Sequence, residues 1–148
     1  MTINKDKLNK VLSYLPFYDK NILLLGGTVR YICDIQDDFR DIDIIVYNEF
    51  PFENIKCECK TNIYGGRKYI NKGKEIDIWT LKNHIIPCEA WSDVQETWRL
   101  SIDALYYHIA TDTLYDKYFS RNLQINFKYS LKDSEKIYIN DKLSKFKI

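Results

Sequence analysis

The sequence is poor in the residues that mark linkers, disulfide scaffolds and membrane spans. It has five glycines, three prolines and four cysteines in 148 residues, and no stretch rich in Gly, Pro or Ser. No apolar run approaches the roughly 20 residues that cross a bilayer, and Met1 to Lys20 alternates charged and apolar side chains instead of forming a signal-peptide core. We therefore expect a single cytoplasmic domain without a membrane partner.

The cysteines and histidines also lack the spacing of a metal or redox site. No CxxC pair occurs, which argues against a zinc site, so free thiols in a reducing compartment are expected. The histidines have no nucleophile or metal ligand near them in the sequence, and we interpret both as structural. The residues concerned are Cys33, Cys57, Cys59, Cys88, His84 and His108.

Net charge is close to zero, but the charges are unevenly distributed. The formal value of +1 excludes a protein that binds polyanions with its whole surface. Residues 34–58 contain eight acids and two bases, whereas residues 117–148 contain eight bases and three acids. The first segment favours cation binding. The second is either a solvated face or a surface that follows a phosphate backbone.

What the sequence does contain is a core and an alternation of strands and helices. Hydrophobic residues make up 45% and aromatic residues 15%, which suits one packed domain. Periodicity and turn residues predict a mixed sheet flanked by helices, in an α/β (α+β) fold. The predicted elements are a helix before Pro16, strands over 21–25 and 41–46, a helix over 28–33, a hairpin of strands 67–70 and 74–81, a helical turn within 87–96, and strands over 100–109 and 114–115.

Glycines and acids stand where phosphate and metal chemistry would need them. Gly26-Gly27 follows the first strand, so backbone amides can approach phosphate oxygens, with Thr28 at the start of the next helix. Asp41 and Asp43, two apart on a strand, place their oxygens side by side, as magnesium prefers. A third acid comes from the second arm of the hairpin: Asp77, or Glu75 on the same face.

The same segments resemble the DNA polymerase beta-like nucleotidyltransferase superfamily, and within it the head domain of bacterial poly(A) polymerases and tRNA CCA-adding enzymes. That family carries a strand, then Gly-Gly-x-Val-Arg-Asp, then an Asp-x-Asp strand, here matched by Gly26 to Arg30 and by Asp41 to Asp43. A second family segment, like Arg-Asp-Phe-Thr-Ile-Asn-Ala-Leu, is matched by 98–105, followed by a strand that ends in Asp116. The resemblance covers roughly residues 21 to 120.

The resemblance implies a polymerase-beta-like fold that uses two Mg²⁺ ions, with Mn²⁺ as the alternative metal. It places a catalytic core over 21–120, which the predicted N-terminal helix within 1–20 precedes and a basic C-terminal extension over 121–148 follows. Catalytic and metal-binding roles fall on Asp41, Asp43 and Asp77. Nucleotide-binding roles fall on Gly26, Gly27, Thr28, Arg30, Arg40, Trp98, Arg99 and Asp103. Arg30 and Arg40 are equally compatible with phosphate contact and with structural pairing to acids.

Departures from the family pattern leave the substrate open. Tyr31 replaces an Asp, Trp98-Arg99 replaces Arg-Asp, and Asp103 replaces an Asn. Family members continue into helical domains that hold tRNA, so CCA addition in the full sense is not expected. We expect transfer of NMP from an NTP to a hydroxyl acceptor, first an RNA or tRNA 3′ end.

Other acceptors and other functional classes fit the sequence as well. The alternatives are a small-molecule or protein acceptor, a toxin-like or antiphage transferase, and a non-catalytic module that binds nucleotide or RNA. Homo-oligomerisation is a further expectation, prompted by the basic C-terminal segment.

Overall fold

A seven-stranded mixed sheet organises the chain in the computed structural model, which describes residues 1–61 and 65–126. The strands are β1 Ile22–Leu25, β2 Ile42–Val46, β3 Glu58–Thr61, β4 Arg67–Asn71, β5 Lys74–Thr80, β6 Tyr106–His108 and β7 Thr113–Tyr115. The α-helices are α1 Lys5–Leu12, α2 Gly27–Ile32 and α3 Trp91–Val94. Short 3₁₀ helices span Phe52–Asn54, Leu81–Asn83, Gln95–Thr97 and Ser101–Asp103.

The strand order is β3-β4-β5-β2-β1-β6-β7. β2 and β5 pair in parallel, and the other five pairings of the described strands are antiparallel. The predicted mixed sheet and α+β class are thus confirmed. The β2–β5 pairing matters most for the site, because it brings the two predicted acidic strands together.

One face of the sheet packs against α1 and α2. Ile42 and Ile44 of β2 and Ile76 and Ile78 of β5 are fully buried there, together with Val11 of α1. The alternation of Asp and Ile in the sequence thus becomes a sheet with a core face and an acid face. Helix α1 begins with Asn4, whose side chain accepts a hydrogen bond from the Lys7 amide at 3.2 Å, and it ends at Leu12, one turn before Pro16.

The other face is half covered by the segment that contains α3. A second buried cluster, built from Leu23, Ile45, Leu81, Cys88, Val94 and Tyr106, lies there. This cluster covers the part of the face beyond the acids, towards the C-terminal ends of β2 and β5. The acids of β2 and β5 stand at the beginnings of those strands and are not part of it.

A hydrogen-bonded chain centred on His84 ties the covering segment to β5. The Trp79 indole Nε1 donates to His84 Nδ1 at 3.0 Å, so the imidazole proton must sit on Nε2. That nitrogen lies 2.8 Å from Thr97 Oγ1, which donates in turn to the Val94 carbonyl at 2.6 Å. Burial lowers the pKa of His84 to about 4, so the ring is neutral at neutral pH. The structural role predicted for His84 agrees with this geometry.

The hairpin β4–β5 has the predicted position and a tight turn. Asn71 pairs with Lys74, which leaves Lys72 and Gly73 as a two-residue loop with φ of 51° and 79°. Positive φ at both positions is the pattern of a type I′ turn, whose twist matches that of the flanking strands. The register of the whole hairpin follows from this loop.

The strand prediction differs from the structure at two places. The strand expected over 100–109 is confined to β6, because Ser101–Asp103 forms a 3₁₀ helix. There the Ser101 amide donates to the Gln124 carbonyl at 2.9 Å, and Arg30 Nη1 donates to the Ile102 carbonyl at 3.2 Å, so these backbone groups are not available to the sheet. Strand β3 was not predicted, because all of its residues are exposed and show no apolar alternation.

The predicted division into 1–20, 21–120 and 121–148 stays a prediction. Residues 122–126 run back along 98–101, through the Leu100–Ile125 bridge and the bond from the Asn126 amide to the Arg99 carbonyl. Most of the basic extension, residues 127–148, lies outside the described residues. All four cysteines are free, as predicted. In the described parts of the chain, no helix is both long enough and apolar enough to span a bilayer.

Substitution of the two neighbouring glycines should affect stability differently. Gly26 has φ of 71° and ψ of −136°, which L-residues rarely adopt, whereas Gly27 is the first residue of α2. Gly26→Ala should lower the free energy of unfolding by about 1–3 kcal/mol, and Gly27→Ala should change it by less than about 0.5 kcal/mol. Urea titration of both variants checks this. Equal losses would contradict the backbone assignment.

Stability should fall in mild acid through His84. The unfolded imidazole titrates near its ordinary pKa of 6.5 but the folded one only near about 4, so below 6.5 the unfolded state binds the extra proton. Folding should lose up to about 3 kcal/mol from this group as pH falls from 6.5 to 4. His84→Gln, which does not titrate, should flatten that slope in urea titrations at a series of pH values. Parallel curves for both proteins would rule out His84 as the cause.

Candidate active site

The glycine turn joins β1 to α2 beside the acids. The Gly26 carbonyl accepts from the amides of Val29 and Arg30, both at 3.1 Å, which starts the helix directly after the strand. A Cβ placed on Gly26 would lie 3.9 Å from Asp43 Oδ2. The turn predicted from the sequence therefore lies against one of the predicted metal ligands.

Asp43 and Asp77 stand side by side on neighbouring strands. They are paired in register across β2 and β5, so both side chains project from the same face. Glu75 lies two residues before Asp77 within β5, and Asp41, which directly precedes β2, lies two residues before Asp43, so the spacing directs both towards this face. The predicted acids thus come together on the sheet, and we call Asp41, Asp43, Glu75 and Asp77 the carboxylate face.

The carboxylates of this face influence one another electrostatically. Burial raises the pKa of Asp77, and the charges of Asp41 and Glu75 raise it further, while Lys68 opposes them. The pKa of Lys68 is raised in turn, chiefly by Asp77 and then by Glu75, with Asp41 contributing as well. Like charges drawn together in this way favour the binding of a cation.

Carboxylate oxygens on one face suit a hard divalent ion such as Mg²⁺ in kind. The strand register also suits such an ion, because Asp43 and Asp77 are direct neighbours. Their side chains do not converge on one point, however: across residues 1–61 and 65–126, no group of three or more His, Cys, Asp or Glu forms a metal cage. Glu75 and Asp77 are turned instead towards Lys68, whose Nζ lies 3.4 Å from Glu75 Oε2 and 3.9 Å from Asp77 Oδ1.

Thr28 links the glycine turn to the carboxylate face. Its side chain is fully buried, and its hydroxyl donates to the backbone carbonyl of Asp41 at 3.1 Å. The hydroxyl is therefore engaged in holding the start of β2. Any contact of Thr28 with phosphate would come from its backbone amide.

Arg30 and Asp103, two predicted nucleotide-binding residues, are paired with each other. Arg30 is only 8% exposed, and its Nη1 lies 2.6 Å from Asp103 Oδ1. Its Nε donates to Gln36 Oε1 at 2.8 Å. The sequence left open whether Arg30 contacts phosphate or pairs structurally with an acid. This geometry matches a structural pair, which ties α2 to the 3₁₀ helix at Ser101–Asp103. A nucleotide contact by either residue stays a prediction.

The remaining predicted nucleotide-binding residues differ in exposure. Arg40 is exposed and directly precedes Asp41. Trp98 is half-buried, and its ring stacks on Tyr118 with centroids 5.6 Å apart and planes at 26°. Arg99 is half-buried next to it, with its Nε and Nη1 atoms shielded from solvent.

Lys68 is the residue that the sequence analysis missed. Its signal was present in the hairpin: if Asn71 pairs with Lys74 around a two-residue loop, then Lys68 must face Asp77. The order of charges along the chain does not show that Lys68 and Asp77 are neighbours, because the two residues are nine positions apart. Only the strand register brings them together.

Comparison with known proteins bears on the fold. No protein-family model and no curated protein matches the sequence. Solved structures of CCA-adding enzymes do match, and in each of the three described here about a third of the enzyme's length is covered by this chain. A complex with CTP matches at 19% identity with a TM-score of 0.55, covering 79% of this chain and 33% of that one.

The other two structures agree with the first. An apo form matches at 15% identity and a TM-score of 0.52, covering 84% of this chain and 38% of that one. The Thermotoga maritima enzyme complexed with tRNA matches at 20% identity and a TM-score of 0.52, covering 86% and 33%. The chain therefore has a nucleotidyltransferase-like fold, similar to that of the head domains of CCA-adding enzymes.

Proposed function

We propose that the protein is a metal-dependent nucleotidyltransferase that moves NMP from an NTP to a hydroxyl acceptor and releases pyrophosphate. The observation that carries this proposal is the in-register pair Asp43 and Asp77, next to the glycine turn at Gly26. In a nucleotidyltransferase-like fold, a carboxylate pair beside a phosphate-accessible turn is the arrangement that the reaction requires.

Each part of the site has a separate task in this proposal. Asp41, Asp43 and Asp77 would hold two Mg²⁺ or Mn²⁺ ions, which neutralise the charge that develops on the phosphates. Gly26 and Gly27 leave room for the triphosphate to approach backbone amides. Thr28, through its bond to the Asp41 carbonyl, fixes the distance between the turn and the acids.

Asp77 is our candidate for the proton acceptor. Its carboxylate is the direct neighbour of Asp43 in the strand register, so it would lie within reach of an acceptor hydroxyl that is held beside the metal ions. In the proposed step the acceptor hydroxyl gives its proton to Asp77, and its oxygen bonds to the α-phosphorus. The bond from that phosphorus to the bridging oxygen breaks, and pyrophosphate leaves with the electron pair.

An RNA 3′ end, and tRNA in particular, is the first acceptor that we propose. The matched enzymes include one complexed with CTP and one with tRNA, which supports an NTP and an RNA as the partners. The stacked pair Trp98 and Tyr118 offers an aromatic surface of the kind on which bases stack. A small-molecule or protein acceptor is the alternative, since a fold alone does not set the substrate. Homo-oligomerisation stays a prediction.

The transfer reaction can be tested directly. Purified protein, Mg²⁺, total cellular RNA and each NTP in turn, radiolabelled at the α-phosphate, should give labelled RNA with at least one nucleotide. Asp43→Asn should reduce the rate by about 100-fold or more, since the metal contribution is worth several kcal/mol. Asp6→Asn, an exposed acid on α1 across the sheet, removes the same charge and should keep the wild-type rate.

The same assay separates transfer from binding alone. Labelled RNA that is equally abundant with Asp43→Asn would refute the proposed site. Bound NTP without labelled product, with RNA and with small hydroxyl compounds as acceptors, would point to a non-catalytic nucleotide-binding module.

The third acid can be identified by comparing the two candidates of β5. Asp77 is the one in register with Asp43, so Asp77→Asn should reduce the transfer rate to the same extent as Asp43→Asn. Glu75→Gln removes a negative charge two residues before Asp77 in β5. It should change the transfer rate by no more than about threefold, as expected for a peripheral charge. Single-turnover rates at saturating Mg²⁺ measure both. The reverse ranking would assign the role to Glu75.

A further inference from the structure

Lys68 lies in the same row of the sheet as the central acids. It pairs in register with Asp77 across β4 and β5, and Asp77 pairs in register with Asp43. In-register neighbours point to the same face, so ammonium, carboxylate and carboxylate follow one another across three strands.

The ammonium group of Lys68 bridges the two acids of β5. Its Nζ lies 3.4 Å from Glu75 Oε2 and 3.9 Å from Asp77 Oδ1. The Lys68 side chain is 41% exposed, while that of Asp77 is 28% exposed. The contact is therefore electrostatic and open to solvent, and the lysine can leave without disturbing a packed core.

We infer that Lys68 is a built-in counter-ion of the carboxylate face and competes with the divalent cation for it. This inference rests on the proposed function, because it concerns the metal site proposed there. Glu75 and Asp77 are turned towards Lys68, and in residues 1–61 and 65–126 the acids do not form a cage of three or more ligands. A divalent ion at Asp77 would therefore compete with the ammonium group for the negative charge of that carboxylate.

Lys68 would set the metal concentration at which the site fills. An exposed ion pair is weak, so the lysine suppresses metal binding only partly and does not block it. It also relieves the repulsion among four neighbouring carboxylates in the metal-free protein. Lys68 thereby reduces the destabilising effect of the carboxylate face on the sheet in the metal-free protein.

The test is a titration of the whole protein with Mn²⁺, without nucleotide, followed by electron paramagnetic resonance of the free ion. Lys68→Gln should bind Mn²⁺ about twofold to fivefold more tightly than the wild type, the size expected for one exposed ion pair. Lys68→Arg keeps the charge and should bind like the wild type. Lys10→Gln, an exposed lysine on the α1 side of the sheet, makes the same charge change elsewhere and should have no effect.

A second measurement uses the unmodified protein. If Mg²⁺ displaces the ammonium group, acetylation of Lys68 by acetic anhydride should become faster when Mg²⁺ is added, while acetylation of Lys10 should not. Mass spectrometry of peptides reports both sites. This result does not depend on any variant remaining folded.

Three results would overturn the inference: equal Mn²⁺ affinity for wild type and Lys68→Gln, an equal gain with Lys10→Gln, or no Mn²⁺ binding by either protein. Addition of Asp43→Asn to Lys68→Gln should abolish the gain, which locates the ion on the carboxylate face. If Lys68→Gln tightens Mn²⁺ binding and no NTP supports transfer, the inference stands and the proposed transferase activity fails. The two ideas are therefore tested separately.

Discussion

The parallel pairing of β2 with β5 forces like charges together. Asp43 and Asp77 are direct neighbours because the backbone hydrogen bonds between the strands fix their register. Two further carboxylates, Asp41 and Glu75, lie two residues earlier in the sequence. Like charges placed opposite each other in a sheet are unfavourable by up to about 1 kcal/mol per pair. Something else in the structure must outweigh this repulsion, and it is found on the reverse side of the same two strands.

That reverse side consists of isoleucines with no exposed surface. Ile42 and Ile44 of β2 and Ile76 and Ile78 of β5 are fully buried against α1 and α2. Burial of each such side chain contributes about 1.5–3 kcal/mol, so the four together exceed the repulsion among the acids several times over. A shift of the register by one residue would bury the acids and expose the isoleucines. The core face therefore fixes the geometry of the acid face.

Much of this arrangement can be predicted from the sequence. The Asp-Ile alternation at 41–46 and 75–78 predicts both faces, and Gly26-Gly27 predicts the turn. The partnership of β2 with β5 is not predictable from either segment, since parallel strands meet through a long connection and the pairing is settled by packing. Likewise, nothing local shows that Arg30 meets Asp103, 73 residues away, or that Ser101 is tied to Gln124 instead of extending β6. Periodicity describes one element at a time, whereas these contacts depend on where the elements pack.

The pair formed by Arg30 and Asp103 also constrains how this chain can diverge. The guanidinium is almost entirely buried and donates to both the Asp103 carboxylate and the Ile102 carbonyl. A buried charge that loses its partner is strongly destabilising, so a replacement of Asp103 that removes the acceptor oxygen should cost several kcal/mol in the folded state. Asparagine, which the resembled family carries at this position, still accepts a hydrogen bond, so divergence here is restricted to side chains that keep an acceptor oxygen facing the guanidinium.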